Sequence, residues 1–198
     1  MSTSNVSISL ATEDDASALA SVMTAAFSAC DAAYPLIWGS APEGTHEMLA
    51  EKGLFSPVQK EGRFTFKAVD ETNGKLVGFA TWNMPKEKVV GSQAGEQKGG
   101  LPELPWVNME LWNEKTGRPK KFHDRDVDDS KDIMLSLCFV HPEYQRRGIG
   151  SMLLEWGKQK GDELREKIWV TSTPQGRIVY EKNGWEVVER YTIDLGFA

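Results

Sequence analysis

With 198 residues, 40% of them hydrophobic, the chain is long enough to bury a core, and we expect residues 1–198 to form a single domain. The formal net charge of −6 and the lack of a basic stripe disfavour nucleic acid as a partner and favour a cationic or amine ligand. Two cysteines are too few for a disulfide framework, the N-terminus has no signal-peptide pattern, and no apolar run reaches the roughly 18 residues of a membrane span, so we expect a cytoplasmic protein with no membrane partner.

The first 30 residues predict a strand followed by an amphipathic helix. Val6, Ile8 and Leu10 alternate with small polar residues, as in a half-buried strand. A capping box from Thr12 to Asp15 then marks the start of a helix. The apolar positions that share one face of this helix are Leu19, Val22, Met23, Ala26 and Phe27.

Two further elements are predicted before the chain changes character. Residues 45–52 predict a short helix, and residues 64–82 predict a β-hairpin. Apolar residues alternate on both sides of the pair Asn73-Gly74, which is typical of a tight turn between two strands.

A long insertion, residues 85–131, separates the predicted third and fourth strands. It holds a glycine-rich part at 91–100 and a short amphipathic helix at 106–112. A connection of this length in a compact domain is usually a functional lid or a disordered loop, and our hypothesis is a lid. The apolar residues that could anchor it are Trp106, Leu111, Trp112 and Phe122. The acidic run at 124–129 lacks the glycine and glutamate of a calcium loop, so we interpret it as a solvated loop.

Residues 133–154 predict a strand, a tight turn and a helix. The apolar run stops at Pro142, and helical spacing restarts after Gly148. Unpaired N–H groups at a helix start bind anions, most often phosphate, and the glycines of Gln145-Arg-Arg-Gly148-Ile-Gly150 allow close approach. The turn has no Gly-Lys-Ser/Thr of a Walker A loop, and it comes too late and without repetition for a dinucleotide loop.

The remaining sequence predicts three strands and a helix. Residues 168–171 predict a strand, residues 176–184 a helix closed by a glycine, and residues 185–189 and 191–195 two final strands.

Two motifs resemble the GNAT N-acetyltransferase family. Val140-His-Pro142 followed by Gln145-Arg-Arg-Gly148-Ile-Gly150 is similar to the acetyl-CoA motif of that family, and Tyr180-Glu-Lys-Asn-Gly184-Trp185 is similar to its Tyr-x-x-x-Gly-Phe/Trp pattern. The resemblance implies an α/β (α+β) fold with a mixed, mostly antiparallel sheet of about six to seven strands flanked by helices. One departure is Thr173 and Gly176, where the family often has Asn and Ala.

The resemblance also implies acetyl-CoA as cosubstrate. The end of the central strand would be splayed from its neighbour and offer backbone groups to the pantetheine arm, and the loop N–H groups would hold the pyrophosphate, with Arg146 and Arg147 adding charge. The implied cofactor-binding residues are Cys138, Phe139, Val140, Gln145, Arg146, Arg147, Gly148, Ile149, Gly150 and Ser151.

The implied reaction is direct attack of an amine on the acetyl thioester. Tyr180 is the candidate acid for the leaving thiolate, and the alternative is a core tyrosine. The general base is not assigned, and the alternatives are a water-mediated route and a lid acid such as Glu110.

Neither a nucleophile pair nor a metal is expected. Cys138 and His141 need not face each other as a nucleophile pair. The scattered His and Cys residues lack metal-ligand spacing, so no metal is expected.

The acceptor side of the family implies Tyr34, Trp38 and His46 as possible substrate contacts, although these rings could equally be core residues. The lid hypothesis adds Trp112 as a substrate contact. We expect an N-acetyltransferase for the primary amine of a small molecule, as a monomer or homodimer. The alternatives are a non-catalytic acyl-CoA-binding regulatory module and a protein N-acetyltransferase.

Overall fold

A single β-sheet with helices on both faces organises the molecule. The computed structural model describes residues 5–85 and 104–195. The strands in this part are β1 (Val6–Leu10), β2 (Arg63–Asp70), β3 (Lys75–Asn83), β4 (Ile133–Val140) and β5 (Ile168–Val170). The helices are α1 (Ala16–Cys30), α2 (Tyr34–Trp38), α3 (Thr45–Leu54), α4 (Met109–Asp126), α5 (Ile149–Leu164) and α6 (Pro174–Lys182).

The strands lie in chain order from β1 at one edge to β5 at the other. The pairs from β1 to β4 are antiparallel, and β4 and β5 run parallel. The expected mixed, mostly antiparallel sheet flanked by helices is therefore confirmed. The predicted hairpin is β2–β3, whose turn places Gly74 at a φ of +70°, a value that favours glycine.

The two strands predicted for residues 185–189 and 191–195 are absent from the structure, so the sheet has five described strands rather than six or seven. The C-terminal segment is held by α4 instead. The Arg118 guanidinium donates to the Thr192 carbonyl at 2.6 Å, and Tyr191 stacks on Phe122 with ring centroids 5.3 Å apart. Alternating apolar residues fit a pleated surface, but a strand also needs a partner edge, and here a helix takes its place.

The predicted start of α1 is confirmed. A 3₁₀ turn precedes the helix, the Asp15 carboxylate accepts from the Thr12 N–H at 2.7 Å, and Lys67 of β2 donates to the same carboxylate. The side chains that α1 buries against the sheet are Leu19, Ala20, Val22, Met23 and Ala26. The cap thus fixes which face of α1 meets the sheet.

The core has one layer on each side of the sheet and a third cluster where α2 and α4 meet, around Ile37, Trp38 and Leu111. The layer under α1 and α3 includes Leu19, Met23, Phe55, Val58 and Phe79. The layer under α5 includes Trp82, Ile133, Leu135, Ile149, Leu153 and Leu154. At Gly157 of α5, a Cβ atom would lie 2.2 Å from the fully buried Trp82 ring, so only glycine lets the helix pack this closely on β3.

The connection between β3 and β4 contains a helix much longer than the predicted one. The sequence predicted a helix at 106–112, whereas α4 has 18 residues and runs through Pro119 into the acidic run. The Asn108 side chain caps it by accepting from the Leu111 N–H at 3.1 Å. The glycine-rich part at 91–100 lies outside the described residues. α4 is strongly polar, and across the described ranges no helix combines the length and apolarity needed to cross a bilayer.

Candidate active site

The central strand β4 has an open edge beyond its first three residues. The described ladder with β5 involves Ile133, Met134 and Leu135 of β4. A register shift against β3 follows, because Leu135 faces Trp82 and Leu137 faces Thr81. The ladder between β4 and β5 therefore ends before the part of β4 where the family resemblance implied a splay.

The backbone direction after this shift can be worked out from His141. Its N–H donates to the Val77 carbonyl of β3 at 2.8 Å. Backbone groups alternate in direction along a strand, so those of Phe139 face β3, and those of Cys138 and Val140 face the open edge. Two residues thus present backbone hydrogen-bonding groups to a ligand that lies along this edge.

The loop after β4 ends in a helix N-terminus beside the same edge. Arg146 has a φ of +65° and Gly148 a φ of +84°, and α5 begins at Ile149. The first described α5 bond runs from the Met152 N–H to the Gly148 carbonyl at 3.1 Å, so the N–H groups just before it have no helical acceptor. The loop therefore presents a row of donors at the positive end of α5.

Side chains hold this loop in place. The Gln145 amide donates to the Val140 carbonyl at 3.0 Å, which fixes the loop to the strand end. The Arg147 guanidinium donates to the Glu143 carbonyl at 2.7 Å and lies over the Tyr144 ring at 4.8 Å. Arg147 thus braces the loop, and both Arg146 and Arg147 are exposed.

Tyr180 of α6 lies against the open edge of β4. Its side chain is buried, at 8% exposure. Burial raises its pKa well above the usual value, and a hydrogen bond with the Cys138 thiol raises it further. Burial raises the pKa of Cys138 to about 12, partly offset by the same hydrogen bond. Both groups are therefore neutral near pH 7, which argues against a Cys138 thiolate nucleophile.

α6 is tied to α5 by a residue that the sequence analysis missed. The Asn183 amide donates to the Ser151 hydroxyl at 2.9 Å and to the Val179 carbonyl at 2.8 Å. It thus positions Tyr180 relative to the loop. Its place directly before Gly184, inside the tyrosine motif, was the available signal.

On the α1 side of the sheet, aromatic rings surround His46. The rings of Phe27, Tyr34 and Trp38 lie 6.1, 5.3 and 4.7 Å from it between centroids. Its Nδ1 is 2.8 Å from the Thr24 hydroxyl, and burial lowers its pKa to about 4. His46 is therefore neutral near pH 7.

An open cleft of about 2070 Å³ joins the two sides of the site. Phe27, Trp38, His46 and Trp112 line it on one side, and Tyr180 lines it on the other. Its volume exceeds the roughly 300–1,000 Å³ of a typical small-molecule pocket, so a small ligand would occupy only part of it. Within the described ranges, no group of three His, Cys, Asp or Glu residues is arranged to hold a metal ion.

Comparison with known proteins agrees with this geometry. Residues 119–187, from within α4 to just beyond α6, match the acetyltransferase (GNAT) domain family. This part of the chain is similar to a GNAT acetyltransferase domain. A probable acyltransferase, SID5, from Ajellomyces capsulatus is 38% identical over 96 residues, which are 48% of this chain and 65% of that protein. An acetyltransferase from Stachybotrys chartarum is 28% identical over 128 residues, 61% of this chain and 54% of that protein. The matches thus span less than two thirds of either relative.

Solved structures share the GNAT fold over almost the entire chain. A mutant of the BH1408 protein from Bacillus halodurans superposes with a TM-score of 0.61 at 16% identity, covering 97% of this chain and 99% of its own. A predicted acetyltransferase with acetyl-CoA from Clostridium acetobutylicum has a TM-score of 0.53 at 14% identity, covering 96% of each chain. An aminoglycoside antibiotic 6′-N-acetyltransferase from Acinetobacter baumannii has a TM-score of 0.52 at 14% identity, covering 98% and 99%. At these identities the likeness concerns the fold alone.

The fold brings together most of the sequence-predicted site residues. Cys138, Val140 and Tyr180 meet at the open edge, beside the loop from Gln145 to Ser151. Trp112 of α4 packs on Trp38 with ring centroids 5.5 Å apart.

Of three other candidates, two do not line the cleft. Tyr34 packs behind His46 and is not a lining residue of the cleft, and Glu110 is exposed and is not a lining residue either. His123 does line the cleft, with its Nε2 atom 3.1 Å from Asp129. Of the three, His123 is therefore the one within reach of a ligand in the cleft.

Proposed function

We propose that the protein is an acetyl-CoA-dependent N-acetyltransferase that acts on the primary amine of a small molecule. The observation that carries this proposal is the meeting of three features at one place. These are the donor row at the start of α5, the open edge of β4 and the Tyr180 hydroxyl beside Cys138.

Acetyl-CoA would bind with its pyrophosphate on the loop and its pantetheine arm along β4. Each anionic contact at an exposed helix N-terminus contributes about 0.3–1 kcal/mol, so several N–H groups between Arg146 and Ser151 are needed for useful affinity. The pantetheine amides would pair with the backbone groups of Cys138 and Val140. The exposed Arg146 is free to reach a phosphate, and Arg147 keeps the loop in shape.

The reaction follows from the position of the thioester at the end of that arm. The amine nitrogen attacks the acetyl carbon, the C–N bond forms, the C–S bond breaks, and CoA leaves as a thiolate. Only about one alkyl amine in a few thousand is unprotonated at pH 7, so a proton must leave the amine, and water in the open cleft can carry it.

Tyr180 would stabilise the leaving thiolate. Its raised pKa keeps the hydroxyl protonated, so it can donate a hydrogen bond to sulfur. A simple thiol has a pKa of roughly 8.5, so complete transfer of the phenol proton would be uphill. We therefore assign Tyr180 as a hydrogen-bond donor, with the sulfur taking its proton afterwards from solvent.

The acceptor would enter from the side of the aromatic residues. Trp38, Trp112 and Phe27 give this part of the cleft an apolar lining, and α4 covers it through the Trp38–Trp112 contact. A small amine fits such a covered region better than a folded protein does. The A. baumannii enzyme of the same fold is an aminoglycoside acetyltransferase, which is consistent with a small amine acceptor.

The test is acetyl transfer from labelled acetyl-CoA to a pool of small amines, read by mass spectrometry. Tyr180→Phe should lower turnover by about 100-fold or more while acetyl-CoA binding by calorimetry is retained. Tyr191→Phe is the matched control, because Tyr191 also lines the cleft but stacks on Phe122 rather than lying against Cys138, and it should keep most of the activity. Unchanged turnover in Tyr180→Phe would refute the assigned role.

A second candidate is a non-catalytic acyl-CoA-binding module. The observation in its favour is that Tyr180 is only 8% exposed and already bonded to Cys138, as a core tyrosine would be. A protein with that function would bind acetyl-CoA but form no labelled product, and the wild type and Tyr180→Phe would behave alike.

A further inference from the structure

A lysine of α4 reaches into the acceptor side of the cleft. The Lys115 ammonium pairs with the Asp31 carboxylate at the end of α1 and lies 5.6 Å from the centre of the Phe27 ring. The side chains of Lys115 and Asp31 are 22% and 10% exposed, and all three residues line the cleft. An ammonium group thus occupies a defined position there.

The surroundings of that position favour a cation independently of Lys115. One oxygen of Asp31 accepts from the Ala33 N–H at 2.9 Å, so the carboxylate is oriented by the backbone. Asp31 directly follows α1, whose C-terminal end carries partial negative charge. The face of the Phe27 ring adds a cation–π contact. Three different features therefore converge on one ammonium.

This position lies beside the central strand β4, on the α1 side of the sheet. The Phe27 ring packs on Phe139 of β4 with centroids 4.8 Å apart. Phe139 is next to Cys138, whose thiol meets Tyr180. Side chains alternate along a strand, so Phe139 faces α1 while Cys138 and Tyr180 lie in the opposite layer. A ligand group held by Asp31 would therefore lie on the α1 side of β4.

We propose that Asp31 and Phe27 form a subsite for a second cationic group of the acceptor, and that Lys115 fills this subsite when no acceptor is bound. The proposal rests on the proposed N-acetyltransferase function and narrows its substrate class to diamines and related dications. The held nitrogen cannot be the reacting one, because a carboxylate partner stabilises the protonated amine and the attacking nitrogen must be neutral.

Exchange between Lys115 and the acceptor leaves the charge at Asp31 compensated. One ammonium replaces another at the same carboxylate, so Asp31 is never left buried without a cation. The released lysine has a flexible four-carbon stem and can move into solvent with its charge hydrated. An alkyl diamine with the same stem reproduces the Lys115 head group and adds an amine at its other end.

The experiment compares diaminobutane with butanediol, which has hydroxyls in place of both amines. Binding of each is measured by calorimetry with and without CoA, and product formation with acetyl-CoA is measured separately. The variants are Asp31→Asn, which retains the oxygen that accepts from Ala33, and Lys115→Met, which retains the stem. Lys120→Met is the control, since Lys120 is on the same helix but pairs with Asp124 on the surface.

The subsite predicts that Lys115→Met prefers diaminobutane over butanediol by about tenfold or more, because an ammonium makes a charge-assisted bond to Asp31 that neither hydroxyl of butanediol can make. The wild type should show a smaller preference, and Asp31→Asn should show no preference. Lys120→Met should show the same preference as the wild type. Equal binding of the two ligands in Lys115→Met with a native circular dichroism spectrum overturns the proposal and leaves Lys115–Asp31 as a structural contact. If Lys115→Met showed this binding preference but no acetylated product formed, the subsite would be supported and the proposed enzyme activity would be rejected.

Discussion

At the residue scale, the packing around His46 on the acceptor side of the cleft determines the protonation state of its imidazole. Three aromatic rings surround the imidazole, and burial lowers its pKa to about 4 from an ordinary value of 6.5. A charged imidazole would lose hydration there, and its Nδ1 atom faces the Thr24 hydroxyl rather than a carboxylate that could compensate the charge. The neutral form therefore belongs to the folded state.

The first consequence is a specific loss of stability in acid. Because the folded pKa of His46 is depressed, its contribution is complete above pH 6.5 and is lost as the pH falls towards 4. Between about pH 7.5 and about pH 4.5, the free energy of unfolding should fall by about 2–3 kcal/mol from this residue.

Urea unfolding of the wild type and His46→Gln at the two pH values checks this expectation. Glutamine can keep the hydrogen bond to Thr24 but does not titrate, so the variant should lose about 2–3 kcal/mol less than the wild type over the same interval. Parallel losses in the two proteins would show that His46 is not the titrating group.

The site residues also show which positions and contacts a sequence pattern can predict. Tyr180, Gln145 and Gly148 were predicted because each belongs to a motif whose members are close along the chain. Asp31 and Lys115 are 84 positions apart, and no local pattern indicates that they meet. Their contact depends on how α4 packs on α1 and α2, which is a property of the folded structure.

At the element scale, the start of α5 depends on a left-handed residue. Gly148 has a φ of +84°, and a Cβ atom added to it would have no other atom within 4 Å, so an alanine there meets conformational strain rather than a steric clash. Such strain costs roughly 1–2 kcal/mol per residue. A loop that relaxes to avoid it would turn its N–H groups away from the pyrophosphate.

Gly148→Ala should therefore weaken acetyl-CoA binding by about tenfold, measured by calorimetry. Gly62→Ala is the matched control, because Gly62 has a φ of +67°, equally open surroundings and no contact with the loop. Gly62→Ala should lose stability and retain affinity. If both variants bound acetyl-CoA like the wild type, the loop geometry would not be what holds the cofactor.

Other elements show where local patterns stop being sufficient. The hairpin, α1 and α5 were predicted because their apolar periodicity coincides with turn or cap residues. α4 was predicted too short because Gly117 and Pro119 are typical helix breakers, yet the helix continues through both. Contacts of Leu111, Trp112 and Phe122 with α2 and the C-terminal segment outweigh the lost backbone bond.

At the scale of the whole molecule, the proposed cofactor site joins parts that are distant in the sequence. The loop at the start of α5 and the open edge of β4 also belong to the core layer under α5, with Trp82 and Leu153. A ligand that binds both would stabilise the folded chain by mass action, in proportion to the logarithm of its concentration over its Kd.

This gives a test of the binding mode that does not depend on catalysis. CoA at about 100 times its Kd should add about 2.7 kcal/mol to the free energy of unfolding. For a chain of this size, that corresponds to a rise in Tm of roughly 5–10 °C. Pantetheine can occupy the edge of β4 but has no pyrophosphate for the loop, so at equal concentration it should raise Tm far less.

Gly148→Ala separates the two contributions. In this variant, the rise in Tm with CoA should become nearly as small as the rise with pantetheine, because the substitution weakens the loop contacts. Thermal scans with CoA, pantetheine and no ligand measure all three states. Equal shifts for CoA and pantetheine in the wild type would place the affinity along β4, and the donor row of α5 would then have no part in holding the cofactor.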